Sequence, residues 1–366
     1  MAATISATDT EVQKPVNVFY NQMLLENARP FCPYFLGTQP GTLSKNSGTA
    51  TMVWRRYNTS ADASTGIAPT VTPLAELTTD SAFMQGRSSS TVNFSPATAT
   101  AAKYGQYYIL NEEVDVLLPN GTTAGIVQTL AISAGRSLNQ LQRNIVDDNA
   151  TLVYANGASD GAVNSAVAAA DFYSVINTLA RNSAMPFTPM SAGSDRVGST
   201  PLLPGFWGFS HPDVAYDIAQ ITGFKDVSTY AGHVDTVPGE YGAFGGAGFV
   251  CRMIQTPDAT VDLGSGAAVS SSGMRSTSGV CDLYTTAIYG QNAIGSIGLG
   301  QAYSDGVFRP GTNNPSPIEM IFKGLGQVGG DPYNEVSTMA WKSWHTGAIL
   351  NANWVRAIRS SATLLA

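Results

Sequence analysis

Charge is what this sequence lacks most. Asp, Glu, Lys and Arg together make up 12% of its 366 residues, against roughly 25% in an ordinary soluble domain. The basic residues are scattered, and Arg55-Arg56 is the single adjacent basic pair. That excludes the basic stripe with which a protein grips nucleic acid tightly. Cysteine is scarce as well. Cys32, Cys251 and Cys281 are an odd number with no CxxC spacing, which indicates neither a disulfide framework nor a zinc site and leaves buried, reduced thiols. Long apolar runs are missing too: stretches such as GAFGGAGFV are short and broken by glycine, so no segment reaches the roughly 18 residues of a membrane-crossing helix. The start, MAATISATDTEVQKP, lacks the basic-then-apolar layout of a secretory signal.

What is there is an ordinary apolar complement, 43% of residues, and 37 glycines. The length allows one large or two ordinary domains with a sizeable core. A globular chain with so few charges has little to cover its outside with, and the cores of protein interfaces are where charge is depleted. Much of this surface is therefore expected to face other protein. The plain alternative is a monomer with a Ser/Thr/Asn surface. The formal net charge of −7 gives no footing for a tight grip on DNA.

Along the chain, a polar arm precedes one helical patch, VFYNQMLLENARPF, which Pro30 ends. TATMVWRRYN reads as a strand. A long Thr/Ala/Pro/Ser stretch and a second extended run, SSSTVNFSPATATAAKYGQYYIL, follow. In the first strand Met52, Trp54 and Arg56 share one face, and Val53, Arg55 and Tyr57 share the other. A ribbon with such mixed faces is not expected to bury one side in its own core, and is expected to lie across another subunit. Residues 120–154 read as the clearest helix, with apolar residues at Val127, Leu130, Ala134, Leu138, Leu141 and Ile145. From Ala124 to Asp148 it would be about 37 Å long at 1.5 Å per residue. Further helices are read at DFYSVINTLARNSA and HPDVAYDIAQIT. Strands are read at FWGFS, GFVCRMIQTP, VCDLYTTAIYG and PIEMIFKGLG, and the C-terminal MAWKSWHTGAILNANWVRAIRSS completes a mixed sheet.

Three motifs suggest chemistry, and each fails on context. GASDG, around Ser159, matches the nucleophile elbow, which needs a strand before the serine and a helix after it; a long helix is expected to run in instead. GLGQVGG, with Gly324, Gly326 and Gly329, follows a strand as a dinucleotide turn does, but GDP follows where a helix should open. HPDVAYD gathers His211, Asp213 and Asp217, yet residues two apart do not share a helix face, so His211 is read as a neighbour of the helix cap rather than a metal ligand. Asp147-Asp148 is read as a solvated helix end near Arg143. No catalytic, cofactor-binding or metal constellation is expected, and an enzyme is the minority reading.

An ordered series of segments resembles a known family. ENARPF is followed by WRRYN, then YGQYY with NEEVD, the long helix ending in LVYANG, GFSHPDVAYDI, GEYGAFGGAGFVCRMIQTP and VCDLYTTAIYGQNAIG. The series closes on GGDPYNEVSTMAWKSWHTGAILNANWVRAI. Together they look like the major capsid protein of tailed double-stranded DNA bacteriophages, in the branch that includes the coat protein of phage N-four, over about residues 18–360. Tyr333 stands where that family tends to have leucine, and the Gly/Ser loop at 263–279 is individual.

The resemblance implies an α+β, Hong Kong 97-type phage capsid fold. Its parts would be an N-terminal arm (1–40), an extended β-loop (41–104), a peripheral domain with a long spine helix (105–159), an axial domain (160–315) and a return to the peripheral domain (316–366). It implies self-assembly into an icosahedral shell of hexameric and pentameric capsomers that encloses the genome, in the cytoplasm of an infected bacterium. Scaffolding and portal proteins are the implied partners, with a cement protein as a further one; DNA is near but not specifically bound, and no membrane or cofactor is involved. The arm helix begins by residue 18, which leaves no room for an internal scaffold domain, so a separate scaffolding protein and an uncut chain are expected. Inter-subunit contacts are assigned to Trp54, Arg55, Arg56 and Tyr57, the two arginines pairing with carboxylates of different neighbours because they point to opposite faces. The competing readings are a nanocompartment shell, another virion structural protein and, remotely, a serine hydrolase around Ser159.

Overall fold

The structure is a computed structural model that describes residues 32–41, 49–57, 94–113, 122–188, 202–230, 236–245, 248–269, 273–297, 318–330 and 332–365. The helical patch expected before Pro30 and the stretch between the two ribbon strands lie outside these residues. In chain order the strands and helices are β1 (Gln39–Gly41), β2 (Thr51–Tyr57), β3 (Phe94–Thr100), β4 (Ala102–Asn111), α1 (Thr122–Asn149), β5 (Thr151–Tyr154), α2 (Ala169–Arg181), β6 (Gly205–Ser210) and α3 (Pro212–Gln220). There follow β7 (Phe224–Asp226), β8 (Glu240–Gly245), β9 (Val250–Gln255), β10 (Val261–Asp262), β11 (Ser276–Thr277), β12 (Val280–Cys281), β13 (Leu283–Tyr289), β14 (Ile294–Ile297), β15 (Ile318–Lys323), β16 (Val336–Ile349) and β17 (Val355–Ser360).

Two main sheets result. One runs β1-β14-β16-β15, with β4 also paired to the long strand β16. The other runs β5-β17-β13-β6-β9-β8-β7, with β10 on β13. β2 and β3 form a separate antiparallel ribbon, with Thr51 opposite Thr100 and Tyr57 opposite Phe94.

The spacing of apolar residues that marks α1 in the sequence also says which face it buries. Val127, Leu130, Ala134 and Leu138 pack with Leu110 of β4, Ile318 and Met320 of β15, and Met339 and Trp341 of β16. Farther along, Val146 joins a different core, where it meets Trp207, Phe209, Tyr289 and Val355 of the second sheet. One helix thus ties both sheets together. The opposite face of the second sheet packs on α2 and α3 through Phe172, Ile176, Leu179, Val214 and Ile218.

The helix is shorter at its end than the sequence suggests. Residues through Tyr154 read as helix, but α1 stops at Asn149, whose side-chain amide donates to the Ile145 carbonyl at 2.8 Å. Thr151–Tyr154 then form β5, parallel to β17. Thr151, Val153 and Tyr154 are strand formers, and β17, the strand that receives them, lies some two hundred residues on, out of reach of any local reading.

Candidate assembly surfaces

Ribbon strand β2 carries all four residues assigned to inter-subunit contact. Trp54 is only 6% exposed, and what it fills is a slot in its own chain. A Cβ built on Gly41 would lie 2.9 Å from an indole carbon of Trp54, and one built on Gly295 would also lie 2.9 Å from the indole. Two glycines, one on β1 and one on β14, therefore make the room. The ribbon is not wholly lifted off its own body, as its mixed faces suggest; one tryptophan pins its base. Its indole Nε1 has no hydrogen-bond partner among the described residues. Arg55 and Arg56 are both exposed, on opposite ribbon faces, as strand alternation requires. Tyr57 ends the strand opposite Phe94; its side chain lies outside the described residues.

The joint between the sheets is polar, and the sequence reading does not anticipate it. Asp258, in the turn between β9 and β10, is 4% exposed. Its Oδ1 accepts from Arg136 Nε at 3.1 Å and from Gln140 Nε2 at 3.3 Å, and its Oδ2 accepts from Asn139 Nδ2 at 3.0 Å. Arg143 Nη1 donates to the Asp258 carbonyl at 2.6 Å. Donors from successive turns of α1 thus converge on one turn of the other sheet. The i, i+3, i+4 and i+7 spacing of Arg136, Asn139, Gln140 and Arg143 is the signal the sequence holds.

A second polar lock lies within the larger sheet. Glu240 accepts from Arg252 Nε at 2.7 Å and Nη2 at 2.6 Å, from Tyr230 Oη at 3.1 Å and from the Val237 N–H at 3.2 Å. The Arg252 guanidinium lies 4.6 Å from the Trp207 ring centroid. The pair is buried and its lone pairs and protons are used, which is the condition under which a buried ion pair is tolerated.

The chemistry motifs sit in structural roles. Ser159 precedes a single 3-10 turn, Asp160–Ala162. A strand, β5, does come before it rather than the expected helix, but no helix follows directly, so the elbow geometry is incomplete. The glycines of GLGQVGG form the turn from β15 to β16. His211 is itself the N-cap of α3: its Nδ1 accepts from the Asp213 N–H at 3.1 Å. The same Asp213 accepts from Tyr284 Oη at 2.9 Å and pairs with Arg275 at 3.1 Å, which pins the Gly/Ser loop. Burial holds the His211 imidazole below its usual pKa, opposed by Asp213. Asp147 is not a solvated helix end. It accepts from the Thr260 hydroxyl, and burial pushes its carboxyl up to about 6; the end of α1 packs on the β9–β10 turn, which local sequence does not show. His345 is buried beside Phe35, ring centroids 5.4 Å apart, and burial lowers its pKa to about 4. His233 lies outside the described residues. Among those described, no group of three or more His, Cys, Asp or Glu is placed to hold a metal ion.

Two sheets braced by one long helix, with a separate two-stranded ribbon, define the fold of phage capsid proteins of the Hong Kong 97 type. The capsid of Ralstonia phage GP4 is similar at a TM-score of 0.59, with 9% identity over 89% of this chain and 87% of that one. The capsid of cyanophage Pam1 is similar at a TM-score of 0.52, with 11% identity over 99% of this chain and 94% of that one. The capsid of cyanophage P-SCSP1u is similar at 0.50, with 10% identity over 88% and 86%. No protein-family model matches the chain, and no curated protein matches it.

Proposed function

We propose that this chain is the major capsid protein of a tailed bacteriophage, and that copies of it assemble into the icosahedral shell around a double-stranded DNA genome. The observation that supports this most is the extent of the likeness: it takes in 89% of the chain against the GP4 capsid and 99% against the Pam1 capsid. Fold alone does not specify function, but the charge-poor composition independently calls for extensive protein contact. The role is structural rather than catalytic.

In this reading α1 is the spine of a peripheral domain at 105–159, completed by 316–366, with an axial domain at 160–315 and the ribbon as the base of an extended loop at 41–104. Trp54 sets the direction in which the ribbon leaves its own subunit. Arg55 and Arg56 pair with carboxylates of two different neighbours, and Tyr57 contacts one of them. Hexamers and pentamers form the shell, with scaffolding and portal proteins supplied separately during assembly in the host cytoplasm, and a cement protein as a further partner. Expression of the chain followed by electron microscopy tests the proposal: closed shells or capsomers support it, and a stable monomer at high concentration overturns it.

A further inference from the structure

We infer that the outer edge of β4 is a two-fold contact at which two copies of the chain join their sheets, strand to antiparallel strand, about Tyr107. The inference rests on the self-assembly proposed above. It starts from the sheet order, in which β4 pairs with β16 and with no other described strand. The pairing runs without a break from Ala102 opposite His345 to Asn111 opposite Val336. Just beyond it the Glu112 N–H donates to the Glu335 carbonyl at 2.8 Å. Backbone groups of an antiparallel strand alternate between its two edges. Even-numbered residues of β4 therefore address β16, and Lys103, Gly105, Tyr107, Ile109 and Asn111 turn their N–H and C=O groups outward. At the near end the Ala101 N–H donates to the Ala50 carbonyl at 2.9 Å, so among the described residues the ribbon pairing reaches this edge only at Ala101.

Proteins ordinarily blunt such an edge with proline, a bulge or several charges. β4 has no proline and no register shift, and Lys103 is the one charge within it. Tyr107 is 65% exposed and Ile109 62% exposed. A long, regular edge of this kind, with a single charge and two exposed large side chains, is a template for sheet extension.

The edge is complementary to itself. Outward-facing residues pair with outward-facing residues, so the register that uses all five sets Tyr107 opposite Tyr107 of the second copy, Gly105 opposite its Ile109, and Lys103 opposite its Asn111. Each pair exchanges two backbone hydrogen bonds. Aromatic rings meet at the centre, and the bare glycine leaves space beside isoleucine. Charge agrees: Lys103 lies at one end of the edge, and the exposed Glu112 and Glu113 lie just past the other. Antiparallel pairing brings each lysine to the other copy's glutamates and keeps the two lysines far apart. Space agrees as well. α1 packs over β16, so the two α1 helices would be separated by three strand spacings, about 14 Å, which exceeds the 8–10 Å of helices in contact.

Two variants and a control test it. Ile109→Pro removes an outward N–H and leaves the β16 ladder untouched; its circular dichroism should match that of the parent while particle formation is lost. In Tyr107→Cys particles, mild oxidation should convert most chains to a reducible dimer, since hydrogen-bonded antiparallel partners are about 5.5 Å apart between Cα atoms, within disulfide reach. Tyr108→Cys, on the face turned to α1, should give little. Parent shells combined with normal assembly of Ile109→Pro overturn the edge contact. Lost assembly of Ile109→Pro, with no disulfide-linked dimer from Tyr107→Cys, overturns the two-fold pairing and assigns the edge to another segment. A parent that forms no shells, combined with a disulfide-linked dimer of the Tyr107→Cys variant, contradicts the capsid proposal and supports this contact; a strict monomer contradicts both.

Discussion

If the seat of Trp54 fixes the direction of the ribbon, emptying it and blocking it should have related consequences. Trp54→Ala empties the slot between Gly41 and Gly295. Truncating a buried Phe or Trp to Ala costs about 3–5 kcal/mol. Trp54 belongs to none of the main apolar clusters, so that loss should appear as local opening of the ribbon base rather than as global unfolding. Gly295→Ala blocks the slot: its methyl would fall 2.9 Å from the indole and 3.2 Å from Leu350. The backbone of Gly295 is not in the left-handed region, so the cost is steric, about 1–3 kcal/mol. In the double variant the new methyl enters space the indole has left, and the combined cost should fall short of the sum by about 1–2 kcal/mol. Amide hydrogen exchange in β2, β3 and β14 reads these differences directly. At about 1.4 kcal/mol per tenfold, Trp54→Ala should speed exchange of the β2 and β3 amides by about a hundredfold or more. Strict additivity of the two substitutions, or unchanged protection of the ribbon in Trp54→Ala, would refute the anchoring role.

Three further outcomes follow from the buried polar groups. Asp258→Ala leaves Arg136, Asn139 and Gln140 without their shared acceptor and should cost about 2 kcal/mol or more in denaturant titration, with Asp258→Glu recovering little because the turn is fixed. Glu240→Gln strands the buried Arg252 guanidinium and should cost about 3–5 kcal/mol, whereas Glu240→Gln with Arg252→Met should cost less than that single change; a costlier double variant counts against the pairing. His345 is held neutral in the folded chain, with its pKa lowered to about 4. Its unfolded counterpart takes up a proton near 6.5, so its contribution is intact above that pH and is lost as pH falls toward 4, about 3 kcal/mol in all. Asp147, raised to about 6, works in the opposite direction over part of that range, so the comparison is with His345→Phe, which should lose less stability on acidification than the parent.

Much of this fold is legible from local pattern. The 3- and 4-residue spacing from Val127 to Ile145 announces α1, and TMVWRRY announces β2, because each depends on residues within a few turns or pleats. What stays hidden is what depends on distant partners. Trp54 reads as free to face a neighbour because Gly41 and Gly295, which make its slot, come from two other strands. Asp147 reads as solvated because Thr260 arrives from another sheet. β5 merges into the helix because β17 lies near the other end of the chain. The polar joint at Asp258 is hidden for the same reason, although its four donors are spaced along one face of α1. Alternation alone places Arg55 and Arg56 on opposite faces, and the ribbon register keeps them there.

The central claim is that this chain builds a closed shell, and cryo-electron microscopy of the purified protein tests it most directly. The account predicts icosahedral or irregular closed particles whose walls are made of hexamers and pentamers, with the β2–β3 ribbon of each subunit lying across its neighbour. A field of discrete monomers at high concentration, or a filament or tail-like tube in place of shells, would contradict it.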